Sequence, residues 1–240
     1  MPDLQQKTLQ PESVQPKSGQ PKSDQPNESR LRVTEIFYSL QGESLTVGVP
    51  TVFIRLTGCP LRCGYCDTEY AFHGGQWLNI AEILKQVATF QTPYVTVTGG
   101  EPLAQKSCTV LLSALCDVGY EVSLETSGAL DVSTVDSRVV KVMDLKTPGS
   151  GEMERNRFEN LEFLTPHDQV KFVICDRQDY DWSKRCVANC DLSARCEVLF
   201  SPSYGQLKPT QLAEWILQDR LAVRFQLQLH KVLWGEEPGR

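Results

Sequence analysis

From residue 31 onward, short β-rich runs of apolar residues alternate with stretches typical of helices. The strand candidates are rich in valine, isoleucine and aromatic residues and have the length of ordinary strands. They are residues 51–56, 94–98, 121–125, 139–145, 169–174, 196–200 and 222–229. Strands separated by helices usually pair in parallel, so the pattern predicts an α/β fold with a mostly parallel sheet.

The predicted helices are residues 79–90, 102–119 and 208–221. For the first helix, Asn79 is the expected N-cap and Glu82 its capping-box partner. In the second, Gly119 stands where a C-terminal glycine is expected. Pro209 and Thr210 mark the start of the third. Seven strands are too few for a closed eightfold barrel. We therefore expect a partial, incomplete β/α barrel of the TIM type.

Polar motifs follow five of the predicted strands at the point where each strand ends. They are GGEP (99–102), TSG (126–128), KTPGSGE (146–152), SPSYG (201–205) and HK (230–231). Because β/α folds build their sites at the C-terminal ends of parallel strands, these motifs should meet at one rim. That rim is the predicted active site.

Residues 1–30 differ in composition from the rest of the chain. They contain five of the fourteen prolines, six glutamines and no aromatic residue, and Gln-Pro recurs every five residues. Such a segment buries too little apolar surface to offset its chain entropy. We therefore expect a disordered Gln/Pro/Ser/Lys-rich extension at 1–30 and one folded core domain at 31–240.

Charge and hydropathy narrow the class of protein. The net charge of −6 offers no basic footprint for nucleic acid. No apolar stretch is long enough to span a membrane, and the N-terminus lacks the apolar run of a secretory signal. We therefore expect a cytoplasmic protein with no nucleic-acid or membrane partner, whose nine cysteines are mostly reduced.

Three cysteines, Cys59, Cys63 and Cys66, fall within eight residues. Thiolates at this spacing hold either an iron–sulfur cluster or a zinc ion. A closed zinc site needs a fourth ligand, but the nearest following histidine is His73 and the chain has no second CxxC motif. The residues alone leave open what takes the fourth position.

A second group, Cys186, Cys190 and Cys196, has wider spacing. It allows an auxiliary metal site, but burial as small apolar side chains is the simpler interpretation. The same interpretation is given to Cys108, Cys116 and Cys175.

The Cx3Cx2C spacing with Tyr65 before the last cysteine, together with TGGEP at 98–102, resembles the signature of the radical S-adenosylmethionine (radical SAM) superfamily. The resemblance implies a partial β/α barrel of the radical SAM type. It implies that Cys59, Cys63 and Cys66 hold a [4Fe–4S] cluster whose open iron binds S-adenosylmethionine. An electron donor such as flavodoxin would then drive cleavage of the sulfonium to a 5′-deoxyadenosyl radical.

Longer blocks resemble one family of that superfamily, the 7-carboxy-7-deazaguanine synthases. They include EIFYSLQGES at 35–44, LETSG at 124–128, DLKTPGSGE at 144–152 and RFQLQLHKVLWG at 224–235. The resemblance implies a carbon–nitrogen lyase that converts 6-carboxy-5,6,7,8-tetrahydropterin to 7-carboxy-7-deazaguanine and ammonia. That reaction lies on the route to 7-deazapurines such as queuosine, and the family uses Mg²⁺ and forms homodimers.

The resemblance also assigns roles to residues on the predicted rim. Contacts to S-adenosylmethionine are expected from Tyr65, Cys66, Asp67, Gly100, Ser127, Asp144, Leu145, Lys146, Ser201, Pro202, Ser203 and Tyr204. Contacts to the pterin are expected from Leu40, Gln41, Gly42, Arg55 and Thr98, and Mg²⁺ is expected at Thr68. Arg55 suits the substrate carboxylate because a guanidinium offers it two parallel hydrogen bonds. Shorter relatives end near the substrate, whereas this chain continues through a tail that includes Pro238.

Three alternatives stay open at this point. His230 and Lys231 are either acid–base groups for the loss of ammonia or structural residues. A different radical enzyme, such as a glycyl-radical activase, would act on a protein partner instead of a pterin. A zinc-binding interaction module would fold with zinc and never cleave S-adenosylmethionine.

Overall fold

The computed structural model describes residues 29–235, 237 and 239. Apart from Ser29 and Arg30, the predicted extension lies outside them. The strands are β1 (Arg30–Leu40), β2 (Pro50–Leu56), β3 (Gln76–Asn79), β4 (Tyr94–Gly99), β5 (Glu121–Thr126), β6 (Val140–Asp144), β7 (Gln169–Ile174), β8 (Glu197–Pro202) and β9 (Arg224–Phe225). The helices are α1 (Ile80–Ala88), α2 (Cys108–Asp117), α3 (Arg177–Asn189), α4 (Leu192–Arg195), α5 (Pro209–Asp219) and α6 (Leu229–Trp234). Short 3₁₀ turns lie at Glu69–Phe72, Pro102–Ala104, Pro148–Ser150, Met153–Arg155 and Phe158–Phe163.

All nine strands belong to one sheet, in the order β3-β1-β2-β4-β5-β6-β7-β8-β9. β1 is antiparallel to β2 and β3, whereas every other neighbouring pair is parallel. The seven parallel strands are the seven that the sequence predicts, and the sheet stays open, with β3 and β9 at its edges. The α/β class and the incomplete barrel are confirmed.

The prediction missed four elements, β1, β3, α3 and the short helix α4. β1 mixes charged and apolar residues along RLRVTEIFYSL and is half-buried over most of its length. α3 is rich in charged residues and buries one narrow face that includes Tyr180 and Val187. In both elements the apolar signal is diluted by residues that face solvent.

The strand expected at 222–229 is wrong beyond its first half. Only Arg224–Phe225 pairs with β8. The side chain of Gln226 then turns to the loop after β1, where it accepts from the Ser44 N–H at 2.8 Å and donates to the Ser44 carbonyl at 2.6 Å. The chain continues as α6, Leu229–Trp234, so the HK motif lies on a helix instead of following a strand.

The helix ends agree with the sequence-based prediction more closely than the last strand does. Asn79 and Glu82 form both hydrogen bonds of the capping box, each at 2.8 Å. At the end of α2, Gly119 has a φ of +95°, and the Tyr120 N–H donates to the Leu115 carbonyl at 3.1 Å. The predicted start at 102 is wrong, because a 3₁₀ turn there precedes the α-helix, which begins at Cys108.

Two apolar clusters hold the helices to the sheet. The first lies between the first half of the sheet and α1 and α2, and includes Ile54 and Leu112. The second lies between β6–β8 and α3 and α5, and includes Phe172, Tyr180 and Phe200. The clusters sit on the helix side, which leaves the inner face and the C-terminal rim of the sheet free for polar residues.

Several cysteines are part of these clusters. Cys108 is buried in the first, and Cys186 and Cys196 are buried in the second, which confirms their interpretation as small apolar side chains. All nine cysteines are free. Over the described part of the chain, none of the helices combines the length and apolarity that a bilayer crossing requires.

Candidate active site

A cavity of about 450 Å³ opens at the C-terminal ends of the parallel strands. Each of the five polar motifs contributes to its wall, through Gly100, Ser127, Lys146, Tyr204 and Lys231. The motifs are far apart in sequence and meet here because parallel strands end on the same edge of a sheet. The predicted convergence at one rim is therefore confirmed.

The three clustered cysteines lie on the loop that follows β2, and all three line the cavity. Each thiol is partly exposed and free. Burial raises the pKa of all three thiols, that of Cys63 to about 11, so they are protonated at neutral pH in the metal-free chain. Binding of iron here must therefore release protons.

The cysteine geometry bears on the choice between zinc and iron. Among the residues that the structure describes, no group of three or more His, Cys, Asp or Glu side chains is arranged to hold a single metal ion. In a multi-iron cluster, each cysteine binds a different iron, so the sulfurs need not converge on one point. The positions of the three cysteines are thus compatible with an iron–sulfur cluster.

Gly100 packs directly against the start of the cysteine loop. The Glu101 N–H donates to the Gly58 carbonyl at 2.8 Å, and the Gly100 N–H donates to the Leu56 carbonyl at 3.2 Å. A Cβ at Gly100 would lie 2.3 Å from the Gly58 oxygen and 2.8 Å from the Cβ of Cys59. Only glycine fits, so the Gly-Gly motif fixes the distance between β4 and the cysteine loop.

One wall of the cavity brings an amide, a hydroxyl and a carboxylate into contact. Gln41 Nε2 donates to Glu125 Oε1 at 3.3 Å and to Thr96 Oγ1 at 3.1 Å. Thr98 Oγ1 donates to Glu125 Oε2 at 2.8 Å. The wall thus places an amide, a hydroxyl and a carboxylate, groups that can bind polar ring atoms, on one side of the cavity.

Arg55, near the end of β2, supplies a cation to the cavity. Its Nε donates to Glu35 Oε1 at 2.7 Å, and its guanidinium lies 5.5 Å from the centre of the Phe37 ring and 5.8 Å from that of Tyr70. These contacts fix the plane of the guanidinium through Nε. The two terminal nitrogens keep the fork geometry that binds a carboxylate side-on.

A chain of four alternating charges forms another part of the wall. Lys171 Nζ contacts Glu43 Oε2 at 2.5 Å and Asp144 Oδ2 at 3.2 Å, and Lys146 Nζ lies 3.2 Å from Asp144 Oδ1. Burial raises the pKa of the Glu43 carboxyl, but attraction to Lys171 outweighs it and holds that pKa below its usual value. Asp144 behaves in the same way beside Lys146 and Lys171.

Asp67 faces α6 across the cavity. Its Oδ2 lies 3.3 Å from Lys231 Nζ and 3.9 Å from His230 Nε2, and its Oδ1 accepts from Thr68 Oγ1 at 2.8 Å. Burial raises the pKa of Asp67, but His230 and Lys231 outweigh it and hold that pKa well below its usual range. A Cβ at Gly42 would lie 2.3 Å from His230 Nδ1, so this ring is held between two loops.

Tyr65 has a buried hydroxyl with no hydrogen-bond partner in the described part of the chain. Its ring lies 5.7 Å from Lys146 Nζ. A buried hydroxyl without a partner is costly, so a bound molecule is the natural source of the missing hydrogen bond. The residues around the cysteine loop therefore fit a polar cofactor.

Known proteins identify the family. A sequence profile of the Radical SAM superfamily matches residues 53–190. The 7-carboxy-7-deazaguanine synthase of Chlorobaculum tepidum is 46% identical over 213 residues, which are 88% of this chain and 97% of that protein. The chain belongs to the 7-carboxy-7-deazaguanine synthase family. The member from Koribacter versatilis is 42% identical over 222 residues, covering 86% of this chain and 98% of that protein.

The fold agrees with this membership. The crystal structure of QueE from Escherichia coli matches with a TM-score of 0.69 and 21% identity, over 84% of this chain and 95% of that chain. At that identity the match shows a shared fold. Membership in the 7-carboxy-7-deazaguanine synthase family favours the synthase prediction over the activase and the zinc module.

Most site residues expected for a 7-carboxy-7-deazaguanine synthase lie together at the cavity. Those in its wall are Leu40, Gln41, Gly42, Arg55, Cys59, Cys63, Tyr65, Cys66, Asp67, Thr68, Thr98, Gly100, Ser127, Asp144, Lys146, Ser203 and Tyr204. Leu145, Ser201 and Pro202 are buried and do not line it. Pro238 lies outside the described residues, although Gly235, Glu237 and Gly239 of the same tail line the cavity.

Glu43, Glu125 and Lys171 are charged residues of the wall for which the sequence predicts no role. Glu43 follows the LQG triplet and Glu125 precedes TSG, so both adjoin motifs that were recognised. Lys171 lies inside the apolar run QVKFVI. A lysine in the middle of an otherwise apolar strand was the available signal, because a buried lysine needs a partner.

Proposed function

We propose that this member of the family converts 6-carboxy-5,6,7,8-tetrahydropterin to 7-carboxy-7-deazaguanine and ammonia. The observation that carries the proposal is the single cavity in which the cysteine loop, Arg55 and the Gln41–Thr98–Glu125 wall face the same space. The relatives at 46% and 42% identity are both named for the product, 7-carboxy-7-deazaguanine.

Cys59, Cys63 and Cys66 would hold a [4Fe–4S] cluster at the cavity floor. With S-adenosylmethionine bound, that cluster supplies the radical chemistry that the reaction requires. The protein contributes the binding. Tyr65 offers its unpartnered hydroxyl, and Lys146, paired with Asp144, places a fixed positive charge beside the cysteine loop.

Arg55 and the polar wall would orient the pterin. The guanidinium fork binds the substrate carboxylate, while Gln41, Thr98 and Glu125 bind the donors and acceptors of the ring edge. A carboxylate has acceptor oxygens and no donor hydrogen, so Glu125 would select for the N–H groups of the substrate. The carboxylate at one end and the ring edge at the other fix one orientation in the cavity.

Mg²⁺ is proposed at Thr68, whose Oγ1 bonds the Asp67 carboxylate at 2.8 Å. Mg²⁺ prefers hard oxygen ligands and usually keeps several bound waters. The protein therefore needs to supply only a few ligands, such as one hydroxyl beside a carboxylate, if the substrate supplies an oxygen as well. A homodimer and an electron donor such as flavodoxin are proposed from the family alone. Loss of activity on metal chelation tests the Mg²⁺ site, and sedimentation velocity tests the homodimer.

The test is anaerobic reconstitution with iron and sulfide, followed by incubation with S-adenosylmethionine, a reductant and the carboxytetrahydropterin. We expect 7-carboxy-7-deazaguanine and ammonia in equal amounts. If 5′-deoxyadenosine forms without the deazapurine, the radical enzyme stands and the substrate assignment fails.

Two cysteine variants sharpen the test. Cys63→Ala should abolish both cluster uptake and product, whereas Cys190→Ala, a free cysteine outside the cavity wall, should retain both. Full activity of Cys63→Ala would overturn the cluster assignment.

A further inference from the structure

Asp179 is a fully buried carboxylate that the proposed reaction does not use. It lies in the first turn of α3, and its oxygens accept the Gly149 N–H at 2.7 Å and the Cys175 N–H at 3.0 Å. Thr147 Oγ1 lies 3.0 Å from Asp179 Oδ2. Three groups from the loop after β6 and the end of β7 therefore converge on one carboxylate.

The loop that Asp179 holds continues as a brace, residues 147–152, that reaches the cysteine loop. Ser150 Oγ donates to the Thr147 carbonyl at 2.6 Å, and the Glu152 N–H donates to Ser150 Oγ at 3.0 Å. Thr147 and Ser150 are both buried. The brace is thus folded on itself as well as fixed to α3.

The brace binds the cysteine loop on both sides of Cys63. The Gly64 N–H donates to the Ser150 carbonyl at 2.9 Å, and the Arg62 N–H donates to Glu152 Oε1 at 2.5 Å. The N–H groups of the two residues that flank Cys63 therefore have partners in the same short segment. Such a pair of bonds fixes the backbone of Cys63 while leaving its sulfur free to bind.

Close packing explains why this connection is rigid. A Cβ at Gly149 would lie 2.5 Å from Asp179 Oδ2 and 3.1 Å from the Cβ of Cys175. No side chain can enter between the brace and α3. A shift of the carboxylate must therefore move the brace, and with it the backbone beside Cys63.

We propose that Asp179 is a positioning residue that holds the cysteine loop in its cluster-binding conformation through the brace. This inference rests on the proposed cluster at Cys59, Cys63 and Cys66. A carboxylate is required because it accepts from several donors at once, whereas an asparagine turns one oxygen into a donor. Asp179→Asn therefore leaves at least one buried N–H without a partner.

The test measures the release of iron from the reconstituted full-length holoenzyme to a chelator, under anaerobic conditions. We expect Asp179→Asn to release iron about tenfold faster than the wild type, because a lost buried hydrogen bond loosens the brace. Hydrogen exchange of peptides covering residues 59–68 should quicken in the same variant, with and without iron.

Asp168→Asn is the matched control. Asp168 is also fully buried, and it accepts the Lys141 N–H at 2.7 Å and the Thr165 N–H at 2.8 Å, but it lies just before β7, outside the cavity wall. This variant should lower the free energy of unfolding without quickening iron release or exchange at 59–68. Equal effects of the two variants would show a general loss of stability and would overturn the proposal.

Glu152 provides a second pair of variants that does not disturb the core. Glu152→Ala removes the acceptor of the Arg62 N–H, whereas Glu152→Gln keeps one. Iron release should quicken in the first and recover toward the wild-type rate in the second. If the wild type takes up no cluster, the proposed function fails, and exchange at residues 59–68 still decides whether Asp179 holds the loop.

Discussion

The hydroxyl of Ser127 donates to Oε2 of Glu101 at 2.6 Å, and the Ser127 N–H donates to the same oxygen at 2.7 Å. The other oxygen of Glu101 accepts from Thr126 Oγ1 at 2.8 Å and from the Leu103 N–H at 3.1 Å. Glu101 is fully buried. Its carboxylate therefore joins the motif after β4 to the motif after β5 through three hydrogen bonds, while the fourth, from Leu103, caps the turn that follows Glu101.

Glu101→Gln should disturb both motifs. A glutamine amide donates where the carboxylate accepts, so one pair of donors loses its partner, and the free energy of unfolding should fall by about 1–3 kcal/mol. Binding of S-adenosylmethionine should weaken because Ser127 is freed. Urea denaturation and calorimetry measure the two effects. Glu121→Gln, at an exposed position of β5, is the control, and a loss of similar size there would refute the argument.

Gly100→Ala should separate the cysteine loop from β4. The added methyl group would lie 2.3 Å from a backbone oxygen, so the loop must move by a substantial part of an ångström. A displacement of that size at reacting groups costs about 100-fold in rate. Product formation by the reconstituted variant measures the loss.

Gly119→Ala controls for the general cost of replacing a glycine. A Cβ there meets nothing within 4 Å, although the φ of +95° strains it. We expect this variant to lose stability but to keep its rate. If Gly100→Ala formed product at the wild-type rate, the cysteine loop would tolerate the displacement and the prediction would be wrong.

The sequence predicts the parallel part of the sheet well because each of its strands is a compact apolar run. It predicts the cysteine loop and the glycine motif because the residues that define each motif are close together in the sequence. α3 was missed since its charged residues face solvent, and the strand at 222–229 was overextended because Gln226 finds its partner at Ser44, far away in sequence.

The charged wall illustrates the same limit. Glu43 and Lys171 are 128 residues apart, and nothing near either one indicates the other. β1 and β7 are not neighbours in the sheet, so the contact forms only because the loop after β1 reaches Lys171 in the folded chain. Local sequence patterns therefore predict motifs, whereas contacts between residues far apart in the chain can be predicted only when the topology is known.

Lys171→Met tests the energy of that pairing. It leaves Glu43 and Asp144 beside an apolar side chain, and the loss of one partner from a buried ion pair costs about 3–5 kcal/mol. Glu43→Gln should cost less, because Lys171 keeps Asp144 at 3.2 Å. The double variant should cost less than the sum of the two by about 1 kcal/mol or more. Denaturant unfolding of all four proteins checks the cycle, and strict additivity would show that the two residues do not interact.

The same charges set the response of stability to pH. The pKa values of Glu43 and Asp144 are lowered in the folded chain because attraction to the lysines outweighs burial. A carboxyl group with a lowered folded pKa contributes stability that is present above its unfolded pKa and lost as the pH falls through the folded one. Lys171 has a raised pKa, so its contribution is fully present below pH 10.5 and is lost as the pH rises above that value.

Between pH 3 and pH 6 the carboxyl groups therefore decide the pH dependence. The free energy of unfolding of the wild type should fall as the pH drops below about 4.5, the ordinary value for glutamate. In Glu43→Gln, the decrease between pH 5 and pH 3 should be smaller by on the order of 1 kcal/mol, since one of the groups that takes up a proton on unfolding is gone. Glu159→Gln, at an exposed position, controls for the loss of one carboxylate. Identical pH profiles for the wild type and Glu43→Gln would show that the ion pair with Lys171 does not hold Glu43 in its charged form.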